Sequence, residues 1–194
     1  MAPTNPLLSF LTLALLALGP ASALPSKAGP PSLHHPGQSP GTPVSKRTAA
    51  EVIAALNLVP NPEKGYFVET FRDAANITTN SQQQRSASTA IYYLLEGAAG
   101  DSIWHRVDAA EVWHYYAGAP LVLSLSRDDG VPPTRHALGP DVFDGQRPQV
   151  VIPGSVWQSA RSLGAWTLVG NTVAPGFIES GVELADPGWT PKGA

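Results

Sequence analysis

Short segments of strand type, separated by glycine and proline, recur about every ten residues from residue 65 onward. This spacing leaves no room for the helical crossovers of a parallel sheet, so the strands are expected to be antiparallel. Many evenly spaced antiparallel strands predict an all-β barrel or jelly roll. We read as strands Gly65–Phe71, Ser88–Leu95, Ser102–Arg106, Glu111–Tyr116, Pro120–Ser126, Thr134–Leu138, Gln149–Ile152, Ala165–Asn171 and Gly176–Leu184.

One short helix is predicted ahead of the strands. Thr48 and Glu51 have the spacing of a capping box, and apolar residues follow with helical periodicity. The helix should run to about Leu58, because Pro60 cannot continue it.

Composition excludes several classes of function. The net charge of −3 leaves no basic surface broad enough for a phosphate backbone, so nucleic acid is not expected as a partner. The chain has no cysteine, which excludes disulfides and thiolate metal sites. With 18 glycines, 20 prolines and only 14% charged residues, turns and short strands are favoured over long helices.

Residues 1–23 are predicted to be a signal peptide. The apolar run Leu7–Leu18 is too short to cross a bilayer but has the length of a signal h-region, and Ala21-Ser22-Ala23 supplies small residues for cleavage. We expect a secreted or secretory-pathway protein with no membrane attachment after signal cleavage. The alternative, a buried core helix, fits poorly with Gly19-Pro20.

Residues 24–47 are rich in proline, serine and glycine and hold almost no large apolar side chains, which predicts a disordered linker or propeptide. The segment ends at Lys46 and Arg47, a dibasic pair typical of a processing site in a secreted protein. The alternative is that the two side chains are solvated charges at a domain boundary. Cleavage after the pair would make Thr48 the first residue of the mature chain.

The folded domain is expected to span residues 48–185. The tail, residues 186–194, either hangs free or crosses to a partner subunit. Within the domain, Asn76-Ile77-Thr78 is an N-glycosylation sequon, so Asn76 is expected to carry sugar if the protein is secreted.

A pocket is predicted around the strand that begins at Glu111. Alternate side chains of a strand share a face, so Glu111, Trp113 and Tyr115 point the same way. A carboxylate, an indole and a phenol together suit a hydroxylated organic ligand. The alternative is that the two aromatic side chains fill the core and Glu111 pairs with an arginine.

The spacing of His105, Glu111 and Gly118 resembles the first cupin motif, and Gly145, Pro153-Gly154 and Gln158 resemble the second. A longer set of segments resembles one cupin branch, the domain of unknown function 985, also called the fifth cupin family, over roughly residues 56–184. These segments are Ser88–Leu95, Trp104–Val107, Glu111–Gly118, Leu138-Gly139, Pro148–Pro153, Trp157-Gln158 and Val173–Phe177. The resemblance implies a double-stranded β-helix, a homodimer and a small-molecule pocket similar to that of the sugar-nucleotide epimerases.

The metal ligands of cupins are incomplete in this sequence. A metal-binding cupin uses three histidines and a glutamate, whereas Val107 stands at the second histidine and Gln158 at the third. We therefore expect no cofactor; His105, Glu111 and Gln158 are weak candidate ligands for a divalent metal.

Without a metal, the polar residues of the motifs favour acid and base catalysis. His105 is the candidate base, Glu111 or Asp108 would orient it, and Tyr115 or Tyr92 would be the facing acid. Within the motifs we assign ligand binding to Tyr92, Trp113, Gln149, Trp157 and Gln158. Three functions follow: a metal-independent epimerase or isomerase acting on a carbohydrate-like or oxo-acid ligand, a small-ligand-binding module without turnover, and a metal-dependent oxygenase or decarboxylase.

Overall fold

A computed structural model describes residues 41–79 and 82–194. The signal peptide at residues 1–23 and linker residues 24–40 lie outside this part of the chain, so both stay predictions. Strands dominate the described residues, and one α-helix, α1 (Ala49–Leu56), precedes the sheets. The predicted all-β jelly roll with a short N-terminal helix is confirmed.

The ends of α1 follow from its flanking residues. Thr48 Oγ1 accepts from the backbone N–H of Glu51 at 3.3 Å, and the Glu51 carboxylate accepts from the backbone N–H of Thr48 at 2.8 Å. These reciprocal bonds form the predicted capping box. Asn57, in the left-handed region at φ 54°, ends the helix.

No helix among the described residues is long and apolar enough to cross a membrane.

Two antiparallel sheets form the domain. The strands are β1 (Val59–Pro60), β2 (Tyr66–Arg72), β3 (Asn76–Thr78), β4 (Gln84–Ser86), β5 (Thr89–Glu96), β6 (His105–Val107), β7 (Ala110–Gly118), β8 (Leu121–Ser126), β9 (Thr134–Leu138), β10 (Gln149–Ile152), β11 (Trp157–Ser162), β12 (Trp166–Ala174) and β13 (Val182–Leu184). The six-stranded sheet has the order β1-β2-β5-β12-β7-β10, and the five-stranded sheet has the order β13-β6-β11-β8-β9. Strands β3 and β4 pair as a separate hairpin.

The main core lies between the two sheets. Side chains from the inner faces of both sheets form one buried cluster, because successive residues of a strand alternate between the faces. The six-stranded sheet contributes Tyr93, Leu95, Trp113, Val150, Ile152 and Val169, and the five-stranded sheet contributes Leu121, Leu123, Leu125, Leu138 and Ala160.

Helix α1 covers part of the outer face of the six-stranded sheet. Val52 of the helix packs with Leu94, Trp166 and Leu168. Strand β7 ends beside Trp166 at Gly118, where φ is 90° and a Cβ atom would collide with the Trp166 carbonyl. A glycine is therefore required at this reversal.

The dibasic pair lies at the start of α1. Lys46 ends a 3-10 turn (Val44–Lys46), and Arg47 Nη1 donates to Glu51 Oε1 at 2.9 Å. The carbonyl oxygen of Arg47 accepts from Trp166 Nε1 at 3.0 Å. Residues 44–47 were expected within the disordered linker, but these contacts hold them in a defined turn. Both basic side chains remain exposed, and processing after them stays a prediction.

The predicted strands depart from the observed ones most clearly at β11 and at the C-terminal end of the domain, and β1, β3 and β4 are not among the predicted strands either. Strand β11 was not predicted, although all but one of its residues are buried. The segment predicted as a strand from Gly176 to Leu184 is extended only over β13, preceded by a 3-10 turn (Glu179–Gly181). The backbone carbonyls of Pro175 and Gly176 bind the Arg85 side chain instead of a neighbouring strand.

The tail lies against its own chain instead of hanging free. The ring of Trp189 lies 4.5 Å from that of Trp157 and 6.3 Å from that of Trp104. The backbone N–H of Lys192 donates to Asp128 Oδ1 at 2.8 Å. Residues 186–194 thus extend the packed unit beyond the predicted domain end.

The sequon lies in the β3–β4 hairpin. Asn76 is the first residue of β3, pairs with Ser86 and is exposed. Its Nδ2 donates to the Ala74 carbonyl at 3.4 Å. Glycosylation at this accessible position stays a prediction.

Arg85 anchors the segment between β12 and β13. Its side chain is 4% exposed, its Nη1 contacts both Asp108 oxygens at 2.9 Å, and its Nε donates to the Gly176 carbonyl at 2.8 Å. Removing the guanidinium would leave buried carbonyl oxygens without a donor. We expect Arg85→Met to lower the free energy of unfolding by about 2 kcal/mol, measured by urea denaturation.

The matched control is Arg161→Met. Arg161 lies 3.5 Å from Asp101, and both side chains are more than half exposed (57% and 64%). An exposed pair of this kind should change the unfolding free energy by less than about 0.5 kcal/mol. Equal effects of the two substitutions would contradict the anchoring role of Arg85.

Candidate functional site: a cavity with a Glu63–His105 pair

A cavity of about 820 Å³ opens between the sheets. Its walls combine inward-facing side chains of the six-stranded sheet, residues of β6 and β13, the segment before β2 and the segment between β12 and β13. The lining is mainly apolar with a few converging polar groups, as small-molecule sites usually are. The polar and aromatic residues of the lining include Glu63, Phe67, Glu69, Arg72, Tyr93, His105, Glu111, Trp113, Asn171, Phe177 and Glu179.

A chain of buried hydrogen bonds forms one wall of the cavity. Trp113 Nε1 donates to Gln158 Oε1 at 3.1 Å, and Gln158 Nε2 donates to Glu111 Oε2 at 2.6 Å. Asn171 Nδ2 donates to Glu111 Oε1 at 2.8 Å. Because an indole can only donate, Trp113 fixes which way the Gln158 amide points, and that amide presents its N–H to Glu111. Both oxygens of Glu111 therefore accept hydrogen bonds from the wall.

The same chain leaves one acceptor unpaired. Asn171 is 3% exposed, and its Oδ1 has no hydrogen-bond partner among the described residues. A 180° flip of the Asn171 amide would place this oxygen against the Glu111 carboxylate, so the flipped orientation is disfavoured. Asn171 lines the cavity, so this unpaired acceptor belongs to a residue of the cavity wall.

His105 and Glu63 form a pair beside this wall, since His105 is the cross-strand partner of Gln158 in the pairing of β6 with β11. His105 Nδ1 lies 3.0 Å from the Ile103 carbonyl, which can only accept, so Nδ1 carries a hydrogen. His105 Nε2 lies 3.3 Å from Glu63 Oε2, and the two side chains are 3% and 21% exposed. One proton can therefore be shared between Nε2 and the carboxylate.

Burial raises the pKa of Glu63 above its usual value. Desolvation is the main cause; nearby His105 opposes it, and the Glu111 carboxylate adds to it. Tyr93 lies beside the pair, donating its hydroxyl to the Lys64 carbonyl at 3.1 Å. Desolvation, reinforced by Glu63 and Glu111, raises the pKa of Tyr93 as well, so its hydroxyl keeps its proton.

Three predicted site residues, His105, Glu111 and Trp113, line the cavity, whereas Tyr115 does not. Tyr115 shares the inner face with Trp113 but lies two residues further along β7, about 7 Å away at strand spacing. Its hydroxyl donates to the Gly118 carbonyl at 2.6 Å, at the reversal of the chain. Burial raises the pKa of Tyr115. Its predicted role as the facing acid is therefore not supported by its position.

Four predicted ligand-binding residues also lie away from the cavity surface. Tyr92 faces the outer side of its strand, with its ring 5.9 Å from that of Tyr116. Gln149 is exposed, and its Nε2 lies 3.2 Å from His114 Nδ1. Trp157 packs on the tail, and Gln158 lies behind Glu111 as part of the hydrogen-bonded wall.

Sequence reasoning missed Glu63, Tyr93 and Asn171. Glu63 lies in the turn before β2, where no periodic pattern indicates which side chains point inward. Tyr93 is adjacent to Tyr92, and only the register of β5 decides which of the two enters the cavity. Asn171 is the last residue of the predicted strand Ala165–Asn171, whereas the observed strand continues to Ala174.

The donor set does not fit the metal that the cupin resemblance implies. Both Glu111 oxygens accept amide N–H bonds, Gln158 Oε1 accepts from Trp113, and Val107 has no donor. No group of three His, Cys, Asp or Glu side chains within residues 41–79 and 82–194 could hold a metal ion.

Titrating the purified protein with Mn²⁺, Fe²⁺ or Zn²⁺ should give no stoichiometric binding in isothermal calorimetry. The physical reason is that a metal at Glu111 would have to displace two amide donors from the carboxylate. Replacing Val107 and Gln158 with histidine in one double variant is the positive control, since it restores the missing imidazoles. Tight equimolar binding by the unmodified protein would contradict this reading of the wall.

Glu63→Gln should change stability in a pH-dependent way. Because the folded-state pKa of Glu63 is raised, the folded protein binds this proton more strongly than the unfolded chain does. The stability that Glu63 contributes is present below the unfolded value of 4.5 and is lost as pH rises through the folded pKa. The free energy of unfolding of the Glu63→Gln variant, measured by urea denaturation, should exceed that of the natural chain by an amount that grows from pH 4 to pH 7.

The matched control for this prediction is Glu179→Gln, an exposed carboxyl at the same cavity. Its stability difference from the natural chain should stay flat over the same range. If the stability advantage of Glu63→Gln is constant or decreases with rising pH, burial is not the dominant effect on the pKa of Glu63.

The comparisons with known proteins agree with the fold. Residues 50–185 match the family described as Cupin superfamily (DUF985). A hypothetical protein from Leishmania major is similar at 30% identity and a TM-score of 0.66, over 71% of this chain and 86% of that one. A crystallised protein from Shewanella oneidensis is similar at 30% identity and a TM-score of 0.65, over 72% and 85%. Among curated proteins, none matches this sequence significantly. The chain therefore belongs to the DUF985 family of the cupin superfamily.

Proposed function

We propose that this cupin is a metal-independent epimerase or isomerase that moves a proton at a carbon next to a carbonyl group of a small organic ligand. The single observation that carries the proposal is the Glu63–His105 pair at the wall of the cavity, with Nε2 and Oε2 3.3 Å apart. A buried imidazole whose second nitrogen is held by a backbone carbonyl is the usual arrangement of a general base.

His105 would take the proton at Nε2. The Ile103 carbonyl holds the Nδ1–H at 3.0 Å and so leaves the electron pair of the ring on Nε2, which faces Glu63 Oε2 at 3.3 Å. The Glu63 carboxylate would stabilise the imidazolium that forms, and in an isomerisation the imidazolium would give its proton to the neighbouring carbon. In an epimerisation, water would protonate the other face of the carbon, and His105 would release its proton to solvent. In this scheme Glu63 takes the orienting role that the sequence had assigned to Glu111 or Asp108.

Tyr93 is the hydroxyl that this proposal uses in place of Tyr115 or Tyr92. It lines the cavity, and its raised pKa keeps the phenol protonated. By exchanging its bond to the Lys64 carbonyl for one to the ligand, the protonated phenol would donate to the oxygen that gains negative charge when the neighbouring carbon loses its proton. Glu111 then acts through Asn171, because both of its oxygens are already engaged.

The second candidate is a binding module without turnover. It is favoured by the state of Glu111, whose oxygens both accept bonds from the wall and need no change on ligand binding. In that reading the Glu63–His105 pair only contributes hydrogen bonds to the ligand.

Deuterium exchange separates the two candidates. With a panel of sugars and keto acids in deuterated water, the protein should catalyse the exchange of hydrogen for deuterium at a carbon next to the carbonyl. The exchange is monitored by proton NMR. His105→Gln should reduce the exchange rate by at least about 100-fold, because the base is lost. Glu63→Gln should reduce it less, since the ring remains.

His114→Gln is the matched control. His114 lies on the opposite face of β7, stacked beside Tyr116 at 6.5 Å, and should leave the exchange rate unchanged. An unchanged exchange rate in His105→Gln would contradict the proposal that His105 is the base. Saturable binding without exchange in the natural chain would favour the binding module.

A further inference from the structure

The charges that line the cavity are unbalanced. Four of the lining side chains are carboxyl groups, and they are Glu63, Glu69, Glu111 and Glu179. Among the described lining residues, Arg72 is the one lysine or arginine. The cavity therefore repels an anionic ligand unless Arg72 is free to receive it.

Arg72 is not free. Its Nε donates to Glu69 Oε1 at 2.9 Å and its Nη2 donates to Glu69 Oε2 at 2.6 Å, a two-point pair. Its Nη1 donates to the Phe177 carbonyl at 3.1 Å. The Glu69 carboxylate also raises the pKa of Arg72. Three of the five N–H donors of the guanidinium are thus committed to protein acceptors, and the paired Glu69 carboxylate neutralises its charge.

A second, independent observation points to a donor on the ligand. Among the described residues, Asn171 Oδ1 is the buried side-chain acceptor without a partner, at 3% residue exposure, and the Trp113–Gln158–Glu111 chain fixes its direction. A carboxylate or phosphate presented to this oxygen would place acceptor against acceptor. A hydroxyl or an ammonium would complete the bond.

The surrounding groups favour the ammonium over the hydroxyl. A protonated amine has three donors and no acceptor, so it suits a site made of carboxylates and an amide oxygen. The cavity is also lined by the aromatic side chains of Phe67, Tyr93, Trp113 and Phe177. Aromatic faces attract a cation that is partly removed from water.

We infer that the cavity binds a small ligand through a protonated amine, set against Asn171 Oδ1 and the cavity carboxylates. This inference rests on the proposed function only in placing the ligand in the same cavity. It narrows the ligand class to amine-bearing carbonyl compounds, such as amino sugars, and excludes nucleotide-linked sugars and oxo acids.

Matched ligand sets test the inference without turnover. On each of three scaffolds, the ammonium, hydroxyl and carboxylate forms are compared: glucosamine, glucose and glucuronate; cyclohexylamine, cyclohexanol and cyclohexanecarboxylate; benzylamine, benzyl alcohol and benzoate. Dissociation constants at neutral pH are measured by calorimetry. The amine should bind at least about tenfold more tightly than the alcohol on one or more scaffolds, and the carboxylate most weakly.

Two variants locate the effect in the cavity. Glu69→Gln releases Arg72 from its two-point pair and should improve carboxylate affinity relative to amine affinity by about tenfold. Asn171→Leu should remove the advantage of the amine over the alcohol, after circular dichroism has established that it folds. Glu183→Gln is the matched control, because it breaks the exposed Arg106–Glu183 pair at 2.6 Å, outside the cavity lining, and should change neither ratio.

The outcomes are distinguishable from those of the exchange experiment. Amine binding without deuterium exchange would support this inference and overturn the proposed enzyme. Tighter binding of the carboxylate, or no binding of any amine at millimolar concentration, would overturn the inference. A Glu69→Gln variant with unchanged ligand preference would also overturn it.

Discussion

The buried carboxylate of Glu111 is the constraint around which this site is arranged. A carboxylate at 6% exposure is costly unless its oxygens are satisfied, and here the donors come from both sheets. Asn171 reaches it from the same sheet, and Gln158 reaches it from the facing one. The hydrogen bonds therefore tie the sheets together beside the cavity, where apolar packing is interrupted.

The same bonds determine what the cavity can offer a ligand. Because Trp113 fixes Gln158 and Gln158 fixes Glu111, the direction of every dipole along the wall follows from one donor-only indole. The wall then ends in a single acceptor at Asn171. Chemistry that would need Glu111 as a free ligand or a free base competes with a network that is already satisfied.

The sequence predicted the fold better than it predicted the site. Turn residues and strand spacing indicated most strands of the two sheets, and the capping box at Thr48 located the helix. Alternation along β7 correctly placed Glu111 and Trp113 on the inner face, but alternation cannot tell how far along a strand the cavity extends. Tyr115 was therefore placed in the pocket although it lies beyond it.

The missed elements lack a local signal. Strand β11 reads Trp-Gln-Ser-Ala-Arg-Ser, and its burial comes from its central place between β6 and β8, which no local pattern encodes. Glu63 enters the site from a turn, and its importance depends on a contact with His105 more than 40 residues later in the chain. Residues brought together only by the closed fold need the tertiary structure to be recognised.

The C-terminal residues show that the boundary of a family match and the boundary of a packed unit need not coincide. The family match ends at residue 185, yet Trp189 lies 4.5 Å from Trp157, whose side of β11 it helps to shield from water. A protein trimmed to the matched segment would present an indole face to solvent next to the Arg106 guanidinium that stacks on it at 4.8 Å. The last few residues thus cover part of the five-stranded sheet. A protein expressed only over the residues that match the family would expose an apolar surface that the full chain covers.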